Sequence, residues 1–253
     1  MLTMTIPIKS KEEIEGVKMA CEKTASIMKR LSRKIEPGIT TDSLNSAAER
    51  LIIESHCKPA FKGYMGYPKS ICTSINSEVV HGVPGLDCVL TEGDILSLDL
   101  GVIYKGFYGD MAVTFAVGEI STEAEMLIRT TKEALCVGIS SAVSGNTLGD
   151  ISSAIQRYVE DRGYSIVRKF VGHGIGRELH EEPEIPNFGS PGTGPYLENG
   201  MILALEPMVN DGDYRVNILE DGWTAVTEDG SLSAHFEHTI LIWGSKPQVL
   251  TEF

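Results

Sequence analysis

The sequence predicts an α/β fold made of two similar halves related by an approximate twofold axis. Two observations predict it. The order helix, helix, strands occurs twice, and an internal repeat links the two occurrences. An offset of 107 residues places LTEGDILSLDL (90–100) on LENGMILALEP (197–207), with identical residues at five positions. We therefore expect a single domain with an internal repeat, its halves covering approximately residues 1–118 and 119–253.

The first half begins with two helices. Ser10-Lys11-Glu12-Glu13 fits a capping box, and apolar residues follow it at helical spacing as far as Leu31. Pro37-Gly38 breaks that helix. A second helix is expected from Asp42 to about Glu54.

Strands follow the helices in each half. Residues 61–80 indicate a loop and then a strand, and residues 94–117 indicate a β-hairpin that turns near Tyr104–Gly106. In the second half, Thr122-Glu123-Ala124-Glu125 opens a capped helix, and Thr147 to about Glu160 forms another. Strands and glycine-rich loops follow residue 163, and GSPGTG (189–194) is expected to be a short loop.

Composition narrows the class of protein. The 253 residues are 42% hydrophobic and 23% charged, which is typical of a globular protein. The five cysteines are scattered and contain no C-x-x-C pair, so free thiols in a reducing cytoplasm are expected. We expect no secretory signal and no membrane span. The formal net charge of −13 opposes binding to nucleic acid or anionic lipid.

Two aspartates stand out in SLDLGVIYKGFYGD (97–110), because their neighbours are mostly apolar. If the hairpin turns about Tyr104–Lys105, Asp99 and Asp110 lie directly opposite each other, with Cβ atoms about 4.5–5.5 Å apart. Two unpaired carboxylates at that distance would repel, and one would take up a proton. Some positive charge is therefore expected beside them.

The repeat adds two more acids. The offset of 107 places Asp99 on Glu206, and an offset of 127 places Asp110 on Glu237. Four carboxylates balance two divalent cations, and two such ions about 3.5–4 Å apart form a recognised hydrolytic unit. An imidazole would complete the coordination. The sequence therefore predicts a dinuclear metal site between the halves.

Histidines supply the candidate imidazole. His173 lies in VGHGIG, where the flanking glycines allow the backbone to approach a site closely, and His180 and His81 are further candidates. Weaker candidates are His56, His235 and His238, the last because it would point to the opposite face of the strand from Glu237. A single Asp or His in a strand is usually a core or turn residue, so the set of residues carries the prediction.

Competing motifs do not fit. HEEPE (180–184) has glutamate where H-E-x-x-H needs its second histidine, and Pro183 is unfavourable in a helix. Its acids, Glu181, Glu182 and Glu184, are expected to lie in a solvated loop. GHGIGR (172–177) lacks the third glycine of G-x-G-x-x-G, and neither a Walker A motif nor a G-x-S-x-G elbow occurs.

Together, VVHGVPG, ILSLDL…GFYGD, GHGIGRELHEEP, LALEPMV and SLSAHFEHTILI resemble the type I methionine aminopeptidases, metallopeptidases of the pita-bread fold. The motifs occur in the same order over essentially the whole chain. The resemblance implies two pseudo-symmetric α/β halves around a central antiparallel sheet, with helices on the outside. It also implies a dinuclear metal site between the halves.

The resemblance assigns roles to these residues. It implies five metal ligands, with Asp110 and Glu237 bridging two divalent ions, Asp99 on one ion, and His173 and Glu206 on the other. Co, Mn, Fe or Zn would suit the site. A metal-bridged water or hydroxide would attack the first peptide carbonyl, and Glu206 could shuttle the proton. His180 would contact the substrate at its carbonyl oxygen, and His81 would contact it at the scissile nitrogen.

The methionine pocket follows from the same resemblance. Tyr64, Tyr67, Cys72 and Trp223 match pocket positions, and an apolar, aromatic lining suits a thioether. The sequence departs from the commonest family pattern at four positions, and the pocket's size depends on them: Phe61, Met65, Tyr108 and Leu179.

We therefore predict a cytoplasmic, monomeric enzyme that removes the N-terminal methionine of nascent polypeptides, preferably before a small residue. It would work near the ribosome without binding nucleic acid directly. Three alternatives stay open at this point: an X-Pro peptidase of the same fold, a non-catalytic module that binds a partner, and a dinuclear phosphoesterase. All five ligand positions are intact, which argues against the non-catalytic module. A phosphoesterase would need more histidines and basic residues near the site.

Overall fold

The computed structural model describes residues 6–252. These residues contain four long helices, as the sequence predicts, and a short 3-10 turn at Tyr64–Gly66. The long helices are α1 (Lys11–Ser32), α2 (Thr41–Glu54), α3 (Thr122–Ser141) and α4 (Leu148–Glu160). No helix within residues 6–252 is long and apolar enough to cross a membrane.

In the described part of the chain, fifteen strands accompany the helices, and most are short. In the first half they are β1 (Lys58–Pro59), β2 (Cys72–Ile75), β3 (Glu78–Val80), β4 (Ile95–Tyr104) and β5 (Phe107–Ala116). In the second half they are β6 (Ser165–Ile166), β7 (Val171–Gly174), β8 (Glu181–Pro186), β9 (Ile202–Leu205), β10 (Met208–Asn210), β11 (Val216–Ile218), β12 (Ala225–Thr227), β13 (Ser233–His235), β14 (Glu237–Leu241) and β15 (Gln248–Val249).

A nine-stranded antiparallel sheet forms the centre of the molecule. Its main path is β1-β4-β5-β14-β9-β7-β8, with β2 paired to β4 and β15 paired to β14. Two three-stranded sheets, β13-β10-β6 and β11-β12-β3, accompany it. The predicted fold class, α/β with a central antiparallel sheet, is confirmed.

The strands that the two offsets relate occupy mirrored positions in this sheet. β4 and β9 carry the 107-residue match, β5 and β14 carry the 127-residue match, and the order is β4-β5-β14-β9. The twofold relation therefore lies between β5 and β14. Thr239 ties the two strands there, because its Oγ1 donates to the backbone oxygen of Asp110 at 2.8 Å. The division of the chain near residue 118 stays a prediction.

Local signals explain where the helices begin. Ser10 caps α1: its Oγ accepts from the backbone N of Glu13 at 3.3 Å, and its own N donates to Glu13 Oε2 at 3.0 Å. Thr147 and Asp150 make the equivalent capping box at α4. The buried faces of the helices then pack on the sheet. α1 and α2 share one apolar core with β4, and α3 and α4 share another with β9 and β14.

The register of the central hairpin differs from the prediction. Tyr104 pairs with Phe107, so Lys105 and Gly106 form the turn, and both have positive φ, at 51° and 82°. A two-residue hairpin turn of this kind favours glycine at its second position. Asp99 therefore pairs with Ala112, and Asp110 with Gly101. The prediction that the two aspartates lie directly opposite each other is wrong. They share one face of the hairpin, two residues apart in register.

The segment Glu181–Pro186 is also different from the prediction. We expected a solvated loop, whereas these residues form β8, an edge strand paired with β7. Glu182 and Glu184 are exposed on it, but Glu181 is partly buried and forms an ion pair with Lys9. Alternation explains the strand, because the buried residues Pro183 and Ile185 alternate with the exposed residues Glu182 and Glu184.

Candidate active site

Neighbouring strands bring the five predicted ligand residues to one place in the central sheet. Each half contributes from its matched strands, and His173 comes from β7, which pairs with β9. The positions are Asp99 in β4, Asp110 in β5, His173 in β7, Glu206 directly after β9, and Glu237 at the start of β14.

Three of these side chains form a compact group. Asp110, His173 and Glu237 are buried, and each offers a ligand atom within 4.8 Å of the others. His173 Nε2 lies 3.5 Å from Glu206 Oε1, which adds a fourth residue. Asp99 faces the same space, because all five residues line one cavity. The structure thus brings the five predicted ligand residues to one cavity.

Three of the four acids have a buried oxygen without a hydrogen-bond partner. Asp99 Oδ1, Asp110 Oδ1 and Glu237 Oε1 are buried and have no hydrogen-bond partner. Within residues 6–252, no lysine or arginine forms an ion pair with any of the four acids. Buried charges of one sign are costly unless an ion neutralises them. Carboxylate oxygens with one imidazole suit divalent cations, so the residues present fit a metal centre.

The acid–base properties lead to the same conclusion. Burial raises the pKa of Asp99 well above its usual value, and the charge of Asp110 adds to this effect. Burial also raises the pKa of Glu206 and of Glu237, with neighbouring acids contributing. The pKa of Asp110 rises to about 7, again through burial. Without a cation, the four carboxyl groups cannot all be ionised at neutral pH.

The surroundings of His173 favour a neutral imidazole whose Nε2 can bind a metal ion. Its Nδ1–H donates to the Gly174 carbonyl at 2.9 Å, which leaves Nε2 free. Burial, followed by the effect of His180, lowers its pKa to about 3. The adjacent glycines allow the close packing that holds this strand. A Cβ at Gly172 would lie 2.4 Å from the Ala204 oxygen, so only glycine fits there.

A cavity of about 160 Å³ adjoins the five ligand residues. Six residues that we predicted for the methionine pocket line it: Phe61, Tyr64, Tyr67, Cys72, Leu179 and Trp223. Tyr108, which we also expected to affect the size of the pocket, is not among the lining residues. The rings of Tyr67 and Trp223 meet edge to face, with centroids 5.1 Å apart. The cavity is therefore an apolar, largely aromatic pocket that opens beside a cluster of acids.

The structure shows how two of the departures from the family pattern, Phe61 and Met65, are accommodated. Phe61 fits because residue 101 is glycine: a Cβ at that position would lie 2.7 Å from Phe61 Cε1. Met65 also lines the cavity, with positive φ at 48° and an 83% exposed side chain. It therefore lies at the mouth of the cavity.

His81 and His180 lie in the same cavity. The ring of His180 meets that of His173 edge to face, with centroids 4.4 Å apart, and the Tyr64 hydroxyl lies 2.7 Å from its Nδ1. Burial lowers the pKa of His180. Burial, with a smaller effect of His180, lowers the pKa of His81 to about 4. Both imidazoles are therefore neutral at pH 7.

One further histidine, His235, lies beside the acids of the site. His235 is 2% exposed, its Nε2 has no hydrogen-bond partner, and that atom lies 3.8 Å from Glu206 Oε2. Its position two residues before Glu237 was the available signal, since residues two apart in an extended segment share a face. His238, by contrast, bonds Thr251 through Nδ1 at 2.9 Å.

The segment before α1 supports the loop that carries His180. Lys9 forms an ion pair with Glu181, and both side chains are largely buried, at 7% and 13% exposed. Glu181 also accepts from the backbone N of Arg177 at 2.8 Å and of Glu178 at 3.3 Å. Nothing in the sequence pattern indicated this link, because the two residues are 172 positions apart.

Comparison with known proteins agrees with this geometry. Residues 15–243 match the model of metallopeptidase family M24. A methionine aminopeptidase of Clostridium acetobutylicum is 52% identical over 246 residues, covering 97% of this chain and 98% of that protein. The crystal structure of a Thermotoga maritima methionine aminopeptidase is 48% identical, with a TM-score of 0.97 over 98% of this chain and 100% of that one. A Rickettsia prowazekii methionine aminopeptidase superposes with a TM-score of 0.96 at 40% identity, covering 98% and 100%. This chain therefore belongs to metallopeptidase family M24, and within that family to the methionine aminopeptidases.

Proposed function

We propose that this chain releases the N-terminal methionine of proteins and peptides by hydrolysing the first peptide bond, preferring a small second residue. One observation carries the proposal: the cluster of four acids and an imidazole opens directly onto an apolar, aromatic cavity. Such a cavity suits the thioether of methionine, and a cluster of this kind suits a hydrolytic metal centre.

The five residues would hold two divalent ions. Asp110 and Glu237 would be ligands shared by the two ions, Asp99 would hold one of them, and His173 and Glu206 would hold the other. Charge supports two ions, because four ionised carboxylates balance two dications. The orphaned oxygens of Asp99, Asp110 and Glu237 support these residues as ligands. Co, Mn, Fe and Zn are the candidate metals.

When bound, such ions lower the pKa of coordinated water and polarise a carbonyl group. The chain's own residues do the remaining work. The cavity orients the methionine side chain and excludes water from it. Glu206 accepts the proton of the attacking water and passes it to the leaving amine. His180, in its neutral form, donates a hydrogen bond to the substrate's carbonyl oxygen, and the neutral His81 contacts the scissile nitrogen.

Peptide hydrolysis by chelator-stripped protein tests the proposal. Met-Ala-Ser and Ala-Pro peptides are supplied in parallel while Mn²⁺, Fe²⁺, Co²⁺ or Zn²⁺ is added. We expect methionine release that depends on added metal, with little cleavage of the Ala-Pro peptide. Preferential cleavage of Ala-Pro would identify an X-Pro peptidase instead, and no cleavage with any metal would refute a peptidase function. A monomeric state, cytoplasmic location and work near the ribosome stay predictions.

A further inference from the structure

The strongest unexplained contact in the cavity joins Tyr64 to His180. The Tyr64 hydroxyl lies 2.7 Å from His180 Nδ1, and the two rings meet edge to face with centroids 5.2 Å apart. A residue that only lined an apolar pocket would need no hydroxyl. The two residues are 116 positions apart, so the contact depends on the tertiary fold.

The loop that carries Tyr64 is well suited to hold the hydroxyl in place. Gly63, Met65 and Gly66 all have positive φ, at 87°, 48° and 94°. The loop is also closed by its own backbone: Gly63 N donates to Tyr67 O at 2.8 Å, and Tyr67 N donates to Tyr64 O at 2.9 Å. Tyr64 is thus fixed from both sides, and its hydroxyl reaches His180 from a preorganised turn.

The contact matters because of imidazole chemistry. A neutral imidazole has one N–H donor and one acceptor nitrogen. If the Tyr64 hydroxyl donates to Nδ1, the proton of His180 is on Nε2, which is then free to donate to a substrate carbonyl oxygen. In the opposite tautomer Nε2 has no proton and would repel that oxygen. The partner of one ring nitrogen therefore decides what the other nitrogen can do.

We infer that Tyr64 is a positioning residue for His180: its hydroxyl donates to Nδ1, holds the ring, and keeps the proton on the nitrogen that meets the substrate. The inference rests on the proposed function for its kinetic part. It gives the Tyr64 hydroxyl a role that the aromatic ring alone cannot fill. Tyr67 has a different role, because its hydroxyl donates to the backbone oxygens of Ile71 and Gly82.

The Tyr64→Phe variant tests the inference, because it keeps the ring and removes only the hydroxyl. We expect kcat to fall about tenfold, the value of one net hydrogen bond, while KM changes less than about twofold. Tyr158→Phe is the matched control. Its hydroxyl donates to Glu133 on the outer helices, away from the cavity, so both constants should stay unchanged.

A second measurement does not depend on activity. Histidine-selective ¹⁵N spectra of the full-length, Zn²⁺-loaded protein report which ring nitrogen carries the proton. His180→Gln identifies the signal. We expect one Nε2–H tautomer of His180 in the wild-type protein and a mixture of tautomers in Tyr64→Phe. Adding Tyr64→Phe to His180→Gln should cause no further loss of kcat, because Tyr64 acts through His180.

Three results would overturn the inference. One is an unchanged tautomer in Tyr64→Phe, another is a higher KM with unchanged kcat, and the third is a full tenfold loss in the His180→Gln background. If the wild-type protein releases no methionine, the proposed function fails, but the spectra still decide whether Tyr64 sets the tautomer. The two failures are therefore distinguishable.

Discussion

Gly101→Ala would test how the pocket accommodates Phe61. The new Cβ would lie 2.7 Å from Phe61 Cε1, 3.1 Å from Phe61 Cζ and 2.9 Å from the Ala60 Cβ. Ala60 cannot retreat easily, since its backbone N donates to the oxygen of residue 101 at 3.0 Å. We therefore expect the Phe61 ring to take up most of the displacement. Because that ring lines the cavity, the shape of the methionine pocket should change.

The size of the effect follows from these contacts. Carbon atoms in contact are about 3.5–4.0 Å apart, so the ring must move by about 1 Å. Overpacking of this kind costs about 1–3 kcal/mol. That cost is divided between the free energy of unfolding and the binding of methionine. If half of it falls on binding, KM for a methionyl peptide rises about 2- to 12-fold.

Peptide kinetics and denaturant unfolding together measure this cost. Gly85→Ala is the control, because its new Cβ would contact only Cys88, at ordinary distances of 3.6 Å from Cβ and 4.0 Å from N. We expect KM and stability of this variant to stay near the wild-type values. Phe61→Ala should relieve the clash, so the double variant Phe61→Ala/Gly101→Ala should be more stable than additivity allows. Unchanged KM and unchanged stability in Gly101→Ala, or strict additivity in the double variant, would refute the reasoning.

Three further predictions concern the acids and the support of the site. Asp99→Asn should lower metal-dependent turnover at least about 100-fold with an unchanged circular dichroism spectrum, and normal turnover would remove Asp99 from the site. Burial raises the pKa of Asp110 to about 7, so the folded, metal-free protein keeps a proton that the unfolded chain loses above about pH 4. Its free energy of unfolding should therefore fall between about pH 4 and pH 7, and denaturant titrations in which it rises would contradict this. Lys9→Met leaves Glu181 with only backbone donors and should cost about 1–3 kcal/mol of stability. The control Lys18→Met, in an exposed ion pair, should cost less than about 1 kcal/mol. Equal losses of stability in thermal melts of the two variants would count against a role of the buried ion pair.

Much of the fold could be predicted because its signals are local or repeated. The capping box at Ser10 and the helix break at Pro37-Gly38 act within a few residues, and the matched segments 90–100 and 197–207 relate the two halves. The hairpin register was harder, since it depends on which two residues have positive φ. Lys105 and Gly106 do, and a shift of the turn by one residue moves every cross-strand pair by two.

The same contrast holds for the site. Asp99, Asp110, Glu206 and Glu237 could be nominated from the sequence because buried acids in apolar strands are unusual and the repeat relates them. His235 has a weaker claim in the sequence, because a histidine next to such a strand is usually a core residue. The contacts of Lys9 with Glu181 and of Tyr64 with His180 could not be predicted. Each joins residues more than a hundred positions apart and follows no periodic pattern.

The pairing of β5 with β14, where the two halves meet, also affects how the chain folds. Thr239 and Asp110, which are joined by a hydrogen bond between these strands, are 129 residues apart, so their pairing requires the closure of a very long loop. Contacts of this kind form slowly, and here mutual repulsion of the carboxylates opposes them. Neither half has all four acids, so the complete donor set exists only after the halves have docked. We therefore expect full metal affinity to appear late in refolding, which makes metal binding a sensor of completed folding.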